Sequence, residues 1–235
     1  MGASVRGPEH RRAALPNQDA WLVRRTRALT LAVVCDGLGS RPLSASGSRA
    51  ACRAVADAVR LWNASSSASP ELLLRAVHAL WNIRVEGAGR DESATTCLFA
   101  VLSASRRLVI AQLGDGLVLL HKASGATTLE PPADRFGNTT TGLGIAADLR
   151  EWRVHIEPAL EPGASLLLAT DGVSDDILPD RRLELLDHLV SRFGALPPAG
   201  RSRAIARELR SWPTPHHQDD KTVAVLWGSE TTSAK

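Results

Sequence analysis

Residues 29–40 read LTLAVVCDGLGS, an uninterrupted apolar run that ends in a polar, glycine-rich segment. A short apolar run of this kind predicts a buried β-strand, although periodicity alone also allows a buried helix. Asp36 follows the run directly and precedes Gly37, and such a pair usually forms a turn because glycine accepts a positive φ. The stretch therefore predicts a buried strand that ends at a carboxylate.

Patterns on either side of this stretch predict the rest of the fold. Apolar or alternating runs predict strands at 29–35, 96–102, 108–113, 117–121, 151–156, 165–169 and 222–227. Amphipathic patterns predict helices at 47–62, 70–85, 179–193 and 199–211, the second with Ser69 as its N-cap and Pro70 in its first turn. Because the strands cluster along the chain, we expect an α+β fold with antiparallel sheets and helices packed outside them.

The composition narrows the function classes. The 235 residues are 44% hydrophobic and 23% charged, which is typical of a globular domain and excludes a disordered chain, a coiled coil and a disulfide scaffold. The net charge is +3 and aromatic residues make up 4%, so no nucleic-acid partner is expected. No apolar run approaches the ~20 residues that span a bilayer, so no membrane association and a cytoplasmic location are expected. The three cysteines lie in apolar segments, which predicts buried free thiols.

Aspartates recur where the predicted strands end or begin. Asp36, Asp115 and Asp171 each stand near the end of an apolar run and precede a glycine, and Asp219 lies just before the last run. Gathered carboxylates repel one another unless cations neutralise them, and oxygen ligands suit Mg²⁺ or Mn²⁺. Two such ions about 3.5–4 Å apart activate a water molecule for attack on phosphorus. The pattern therefore predicts phosphoester hydrolysis at a metal pair, without saying which ester.

The ordered set of polar motifs resembles the metal-dependent protein phosphatase family, of the phosphatase 2C type, in its bacterial branch. The motifs that carry the resemblance are PNQDA (16–20), VCDGLGS (34–40), SATT (93–96), QLGDG (112–116), LATDGVSD (168–175) and DDKTV (219–223). Each motif is weak alone, but the ordered set covers nearly the whole chain. The resemblance implies a four-layer α-β-β-α sandwich, two antiparallel β-sheets flanked by helices, with two Mn²⁺ or Mg²⁺ ions and in some members a third.

The resemblance also implies a role for each acidic position. Asp36 matches the carboxylate that bridges two metals, and Gly37 matches the residue that lends its carbonyl oxygen. Asp171 and Asp219 match the other ligands of the first metal, which makes them catalytic together with Asp36. The remaining implied ligands are Asp19 for the second metal, through water, and Asp115 and Asp175 for the third. Asp220 stands where many members carry Asn, so we expect it to be a neighbour and not a ligand.

Departures from the family pattern fall near the amino terminus. Gln18 replaces the first acid of the entry pair, and Ala14 stands where many members carry an arginine that grips the substrate phosphate. His10, Arg11 and Arg12 are the candidates for that role here, and His10 is also a candidate general acid. The family places a flap that shapes substrate choice near residues 134–144.

The leading hypothesis is a serine/threonine phosphoprotein phosphatase that uses a metal-bridged hydroxide. Its partner is expected to be a phosphorylated protein, either a cognate Ser/Thr kinase or the target of that kinase. The predicted catalytic domain covers residues 1–228, and residues 229–235 are predicted to be a flexible tail. The alternative, motivated by Gln18 and Ala14, is a catalytically weakened module that binds phosphoproteins in a bacterial kinase signalling system.

Overall fold

Two five-stranded antiparallel sheets form the centre of the protein. The computed structural model describes residues 1–62, 69–129, 141–212 and 218–228. The strands are β1 (Gly2–Val5), β2 (Asp19–Arg25), β3 (Leu29–Asp36), β4 (Cys97–Ser103), β5 (Leu108–Leu113), β6 (Leu117–Lys122), β7 (Gly125–Thr128), β8 (Arg153–Glu157), β9 (Ser165–Ala169) and β10 (Lys221–Trp227). The first sheet has the order β1-β10-β9-β6-β7 and the second has the order β2-β3-β4-β5-β8.

Helices cover the outer face of each sheet. The helices in the described part of the chain are α1 (Pro8–Arg12), α2 (Ser44–Trp62), α3 (Pro70–Val85), α4 (Asp171–Ser174), α5 (Arg182–Phe193) and α6 (Pro198–Ser211). The α2–α3 pair packs on the second sheet, and the α5–α6 pair packs on the first. Across the ranges that the structure describes, no helix is both long enough and apolar enough to cross a membrane.

The residues of β3 show why the apolar run is uninterrupted. Leu31, Val33 and Cys35 pack against the helices outside the second sheet. Ala32 and Val34 point the other way, into the layer between the two sheets. Successive side chains of a strand point to opposite faces, so a strand that is covered on both faces is apolar at every position. Such packing gives the chain three apolar layers and confirms the predicted α-β-β-α sandwich.

Several predicted boundaries were right, and several elements were missed. The predictions for 108–113, 165–169 and 70–85 match β5, β9 and α3. The strand predicted at 151–156 begins two residues before β8 and ends one residue before the end of β8, because Leu149–Glu151 forms a 3-10 turn ahead of β8. The prediction missed β1, β2, β7, α1 and α4, which are short or lack a clean apolar period. Residues 134–140 of the expected flap and the expected tail at 229–235 lie outside the described residues.

Candidate metal centre

One end of the sandwich carries a cleft of about 340 Å³. One strand of the second sheet and two of the first meet there, since β3 ends at Asp36, β9 ends just before Asp171 and β10 begins just after Asp219. Asp115 comes from the loop that joins β5 to β6 and so connects the two sheets. The residues that line the cleft are Asp36, Gly37, Leu38, Gly39, Ser40, Arg41, Thr96, Asp115, Ile145, Asp171 and Asp219.

The backbone of Asp36 is held on both sides by two threonines. Its N–H donates to the Oγ1 of Thr96 at 3.0 Å. Its carbonyl oxygen accepts from the N–H of Thr96 at 2.8 Å and from the Oγ1 of Thr95 at 2.7 Å. Because the threonines hydrogen-bond the backbone N–H and carbonyl of Asp36, its backbone is fixed while the residue lines the cleft.

Asp19 lies directly opposite Asp36 in the register between β2 and β3. It is 5% exposed, and its Oδ2 accepts from the Oγ1 of Thr170 at 2.9 Å. Its Oδ1 is buried and has no hydrogen-bond partner among the described residues. Burial, helped by repulsion from Asp220, raises the pKa of Asp19 to about 8. A buried carboxyl oxygen of this kind is suited to a bound water or cation.

Asp171 begins α4 at a place where two backbone segments come very close. Its Oδ1 accepts from the N–H of Gly172 at 2.6 Å. A Cβ at Gly172 would lie 1.9 Å from the carbonyl oxygen of Asp220, so only glycine allows this approach. On the other side of the cleft, Gly116 has a φ of +94° and closes the turn that presents Asp115.

The four cleft carboxylates and Asp19 act on one another electrostatically. Burial, followed by repulsion from Asp19 and Asp171, raises the pKa of Asp36 well above its usual range. Burial, with repulsion from Asp115 and Asp219, also raises the pKa of Asp171, although its hydrogen bond with Asp36 acts in the opposite direction. Divalent cations among these oxygens would displace the protons and remove the repulsion. The donor set therefore fits hard cations such as Mg²⁺ or Mn²⁺.

The remaining implied metal ligands differ in position. Gly37 lines the cleft, and its N–H donates to the carbonyl oxygen of Gln18 at 3.2 Å. Asp175 is exposed, and it is not among the residues that line the cleft. Its Oδ1 accepts from the Oγ of Ser174 at 3.3 Å. The structure thus brings Asp36, Asp171, Asp219, Asp115, Gly37 and Asp19 together, and leaves Asp175 at the edge.

Asp220 holds the amino-terminal segment against the site, a role that the sequence analysis did not assign. It is 2% exposed, and its carboxylate accepts from the backbone N–H groups of Gly7 and Gln18, both at 2.6 Å. The Nδ1 of His10 lies 2.9 Å from the same carboxylate and 3.7 Å from that of Asp219. These three side chains place ligand atoms within 4.8 Å of one another. Because Asp220 already accepts two backbone hydrogen bonds, we assign it to anchoring and not to metal binding.

The basic residues predicted to bind the substrate phosphate lie outside the cleft lining. His10 faces Asp219 and Asp220, as described above. Arg12 donates to the side chain of Gln218, and Arg11 is exposed on α1. The cleft is instead lined by Arg41, which was not predicted, because a single arginine after a glycine-rich turn forms no recognisable motif.

Carboxylates at one end of an α-β-β-α sandwich define the class: a sandwich fold with a candidate centre for divalent cations. The chain belongs to the protein phosphatase 2C family, whose profile matches residues 6–211. This match confirms the family that the motifs predicted. A search of curated protein sequences found no match.

Solved structures share the fold at low sequence identity. RsbX, crystallised in complex with magnesium, is 18% identical, with a TM-score of 0.63 and coverage of 97% of this chain and 94% of that one. The catalytic domain of the serine/threonine phosphatase PstP, in complex with two manganese ions, is 19% identical, with a TM-score of 0.62 and 97% coverage of both chains. The Ser-Thr phosphatase MsPP from Mycobacterium smegmatis, in complex with cacodylate, is 19% identical, with a TM-score of 0.61 and 97% coverage of both chains.

Proposed function

We propose that the chain is a metal-dependent serine/threonine phosphoprotein phosphatase. The observation that carries the proposal is the convergence of Asp36, Asp171, Asp219 and Asp115 on one small cleft, with Asp19 directly behind it. Bound Mg²⁺ or Mn²⁺ would supply an activated water and would neutralise the charge on the phosphoryl oxygens. Neighbours of the same fold were crystallised with these metals, which supports the same choice here.

The residues of this chain have distinct tasks in the proposed reaction. Asp36, Asp171 and Asp219 would hold the cations, with the backbone of Asp36 kept rigid by its threonine contacts. Asp19 would hold the second cation through water, and Asp115 and Asp175 are proposed for a weaker third one. Gly37 is proposed to lend its carbonyl oxygen. A rigid constellation of this kind needs no reorganisation during the reaction.

The proposed substrate is a phosphorylated serine or threonine in a protein. The cleft is open to solvent through its exposed rim residues Gly39, Ser40 and Asp115, so a side chain can enter from a bound protein. The natural partner is proposed to be a cognate Ser/Thr kinase or the target of that kinase. A cytoplasmic location and a catalytic domain spanning residues 1–228 remain predictions.

Metal-dependent hydrolysis tests the proposal directly. Purified protein is assayed with p-nitrophenyl phosphate and with matched phosphoserine, phosphothreonine and phosphotyrosine peptides, in EDTA and with added Mn²⁺ or Mg²⁺. We expect metal-dependent turnover, a preference for phosphoserine and phosphothreonine, and a loss of at least ~10³-fold in Asp36→Asn. Asp57→Asn is the matched control, because Asp57 forms ion pairs with two arginines away from the cleft.

Two results would contradict the proposal. A wild-type protein that binds metal but hydrolyses none of the four substrates would favour the alternative of a phosphoprotein-binding module. Equal activity in EDTA and in Mn²⁺ would rule out metal-dependent hydrolysis.

A further inference from the structure

A single positive charge lies among the carboxylates of the cleft. Of the described residues that line it, Arg41 is the only one with a basic side chain, and four others are aspartates. An arginine beside an acidic cluster would ordinarily form an ion pair with one of its members. The salt bridge of Arg41 is formed with Asp91, which is not among the residues that line the cleft.

The turn after β3 keeps Arg41 in place. Its backbone N–H donates to the carbonyl oxygen of Leu38 at 2.8 Å, and its own carbonyl oxygen accepts from the N–H of Ser44 at 3.3 Å. The Nη1 of the guanidinium donates to the Oδ2 of Asp91 at 2.7 Å. Asp91 thus fixes the position of the guanidinium at the cleft.

The ion pair with Asp91 uses only part of the guanidinium. The side chain of Arg41 is 34% exposed, and its Nε is buried without a hydrogen-bond partner in the described part of the chain. A guanidinium offers five N–H donors in a planar fork that matches the oxygens of a phosphate. Because about a third of the side chain is exposed, the N–H groups that Asp91 does not engage can meet a ligand that enters the cleft.

We propose that Arg41 binds the phosphoryl group of the substrate and takes the role that the sequence analysis gave to His10, Arg11 and Arg12. The inference rests on the proposed function, because it names the residue that positions the phosphate at that same site. Arg12 and His10 are engaged with Gln218 and Asp220, whereas Arg41 shares a small cleft with the metal-binding carboxylates. Asp91 is the positioning residue for this arginine.

Binding of inorganic phosphate tests the proposal without requiring turnover. Calorimetry in the presence of Mg²⁺ compares the wild-type protein with Arg41→Gln, Arg41→Lys and the control Arg75→Gln. Arg75 forms a similar arginine–carboxylate pair with Glu71 on the exposed side of α3. We expect phosphate to bind at least about tenfold more weakly to Arg41→Gln, to bind with intermediate affinity to Arg41→Lys, and to bind unchanged to Arg75→Gln.

Metal affinity separates phosphate binding from a general structural role. Mg²⁺ titrated alone is expected to bind Arg41→Gln at least as tightly as wild type, since a positive charge beside the carboxylates has been removed. In turnover assays, we expect Arg41→Gln to raise KM and the inhibition constant of phosphate together, with partial rescue in Arg41→Lys.

The outcomes separate this inference from the proposed function. Phosphate affinity in Arg41→Gln within twofold of wild type would overturn the assignment, as would equal weakening in Arg75→Gln or weaker binding of Mg²⁺. Failure of the wild-type protein to bind phosphate would also overturn it. A wild-type protein that binds phosphate through Arg41 but hydrolyses no phosphoester would refute the proposed function and leave the role of Arg41 standing.

Discussion

Replacing Asp19 with Asn is expected to stabilise the metal-free protein at neutral pH. The pKa of Asp19 is raised from 3.8 to about 8, mainly by burial, so the folded protein keeps this proton at pH 7 while the unfolded chain has lost it. The gap of roughly three pK units between the unfolded value and pH 7 corresponds to an upper bound of about 4 kcal/mol. Asparagine avoids this cost and keeps an oxygen that accepts from Thr170. We therefore expect Asp19→Asn to gain about 2–4 kcal/mol in EDTA at pH 7.

The sign of the pH dependence follows from the direction of the shift. A carboxyl group whose folded pKa is raised contributes stability below its unfolded pKa, and that contribution is lost as the pH rises towards the folded value. For Asp19 the window runs from 3.8 to about 8, and Asp36 and Asp171 shift in the same direction. Metal-free wild-type protein should therefore become less stable from pH 4 to pH 8, and Asp19→Asn should lose less.

Urea unfolding in EDTA at pH 4, 7 and 8 measures this effect. The difference between Asp19→Asn and wild type should be below about 1 kcal/mol at pH 4 and should grow with pH. Excess Mg²⁺ should reverse the order, because the wild-type protein gains more from ligand binding. The control Asp57→Asn should show no such growth. The reasoning is refuted if Asp19→Asn is less stable than wild type at pH 7 in EDTA, or if the difference is the same at pH 4 and pH 7.

Three other substitutions test the surroundings of the site. Lys221→Met removes the hydrogen bond from Nζ to the carbonyl oxygen of Gly172 and leaves the carboxylate of Asp176 without its ammonium partner. Urea unfolding should show a loss of about 3 kcal/mol in stability, and a loss below about 0.5 kcal/mol would contradict this. Gln18→Glu adds a negative charge at a position where the Oε1 of Gln18 is buried and has no hydrogen-bond partner among the described residues. Mg²⁺ should therefore bind more tightly in calorimetry while the metal-free protein loses stability, and weaker Mg²⁺ binding would contradict this. Gly47→Ala places a Cβ 1.7 Å from the backbone carbonyl oxygen of Ser93, so α2 must shift. The thermal midpoint of unfolding should fall by several degrees, and an unchanged midpoint would show that the contact is absent.

Much of the fold could be predicted because burial on both faces leaves a direct trace in the sequence. The run at 31–35 is apolar at every position because the helices cover one face of β3 and the other sheet covers the opposite face. Elements that are partly exposed or very short, such as β2 and α4, show no comparable pattern in the sequence. β2 carries Arg24 and Arg25 at its exposed end, and α4 spans only four residues, beginning at Asp171. These segments acquire their structure from pairing and close packing, which no local pattern records.

The aspartates could be recognised as a group because each stands at a strand end, but their partners could not. Asp220 meets Gly7 across 213 residues and Gln18 across 202, so only the folded chain shows that it anchors the amino-terminal segment. The same holds for Arg41 and Asp91, which lie 50 residues apart in the chain.

The sequence by itself determined the antiparallel sheets with helices outside them and the identity of the acidic residues, because apolar periodicity and strand-end carboxylates are local properties. Only the tertiary structure decided which basic residue faces the cleft and which carboxylates share it. Which residues share the cleft depends on how the ends of the two sheets meet. That meeting is set by packing between residues far apart in the chain.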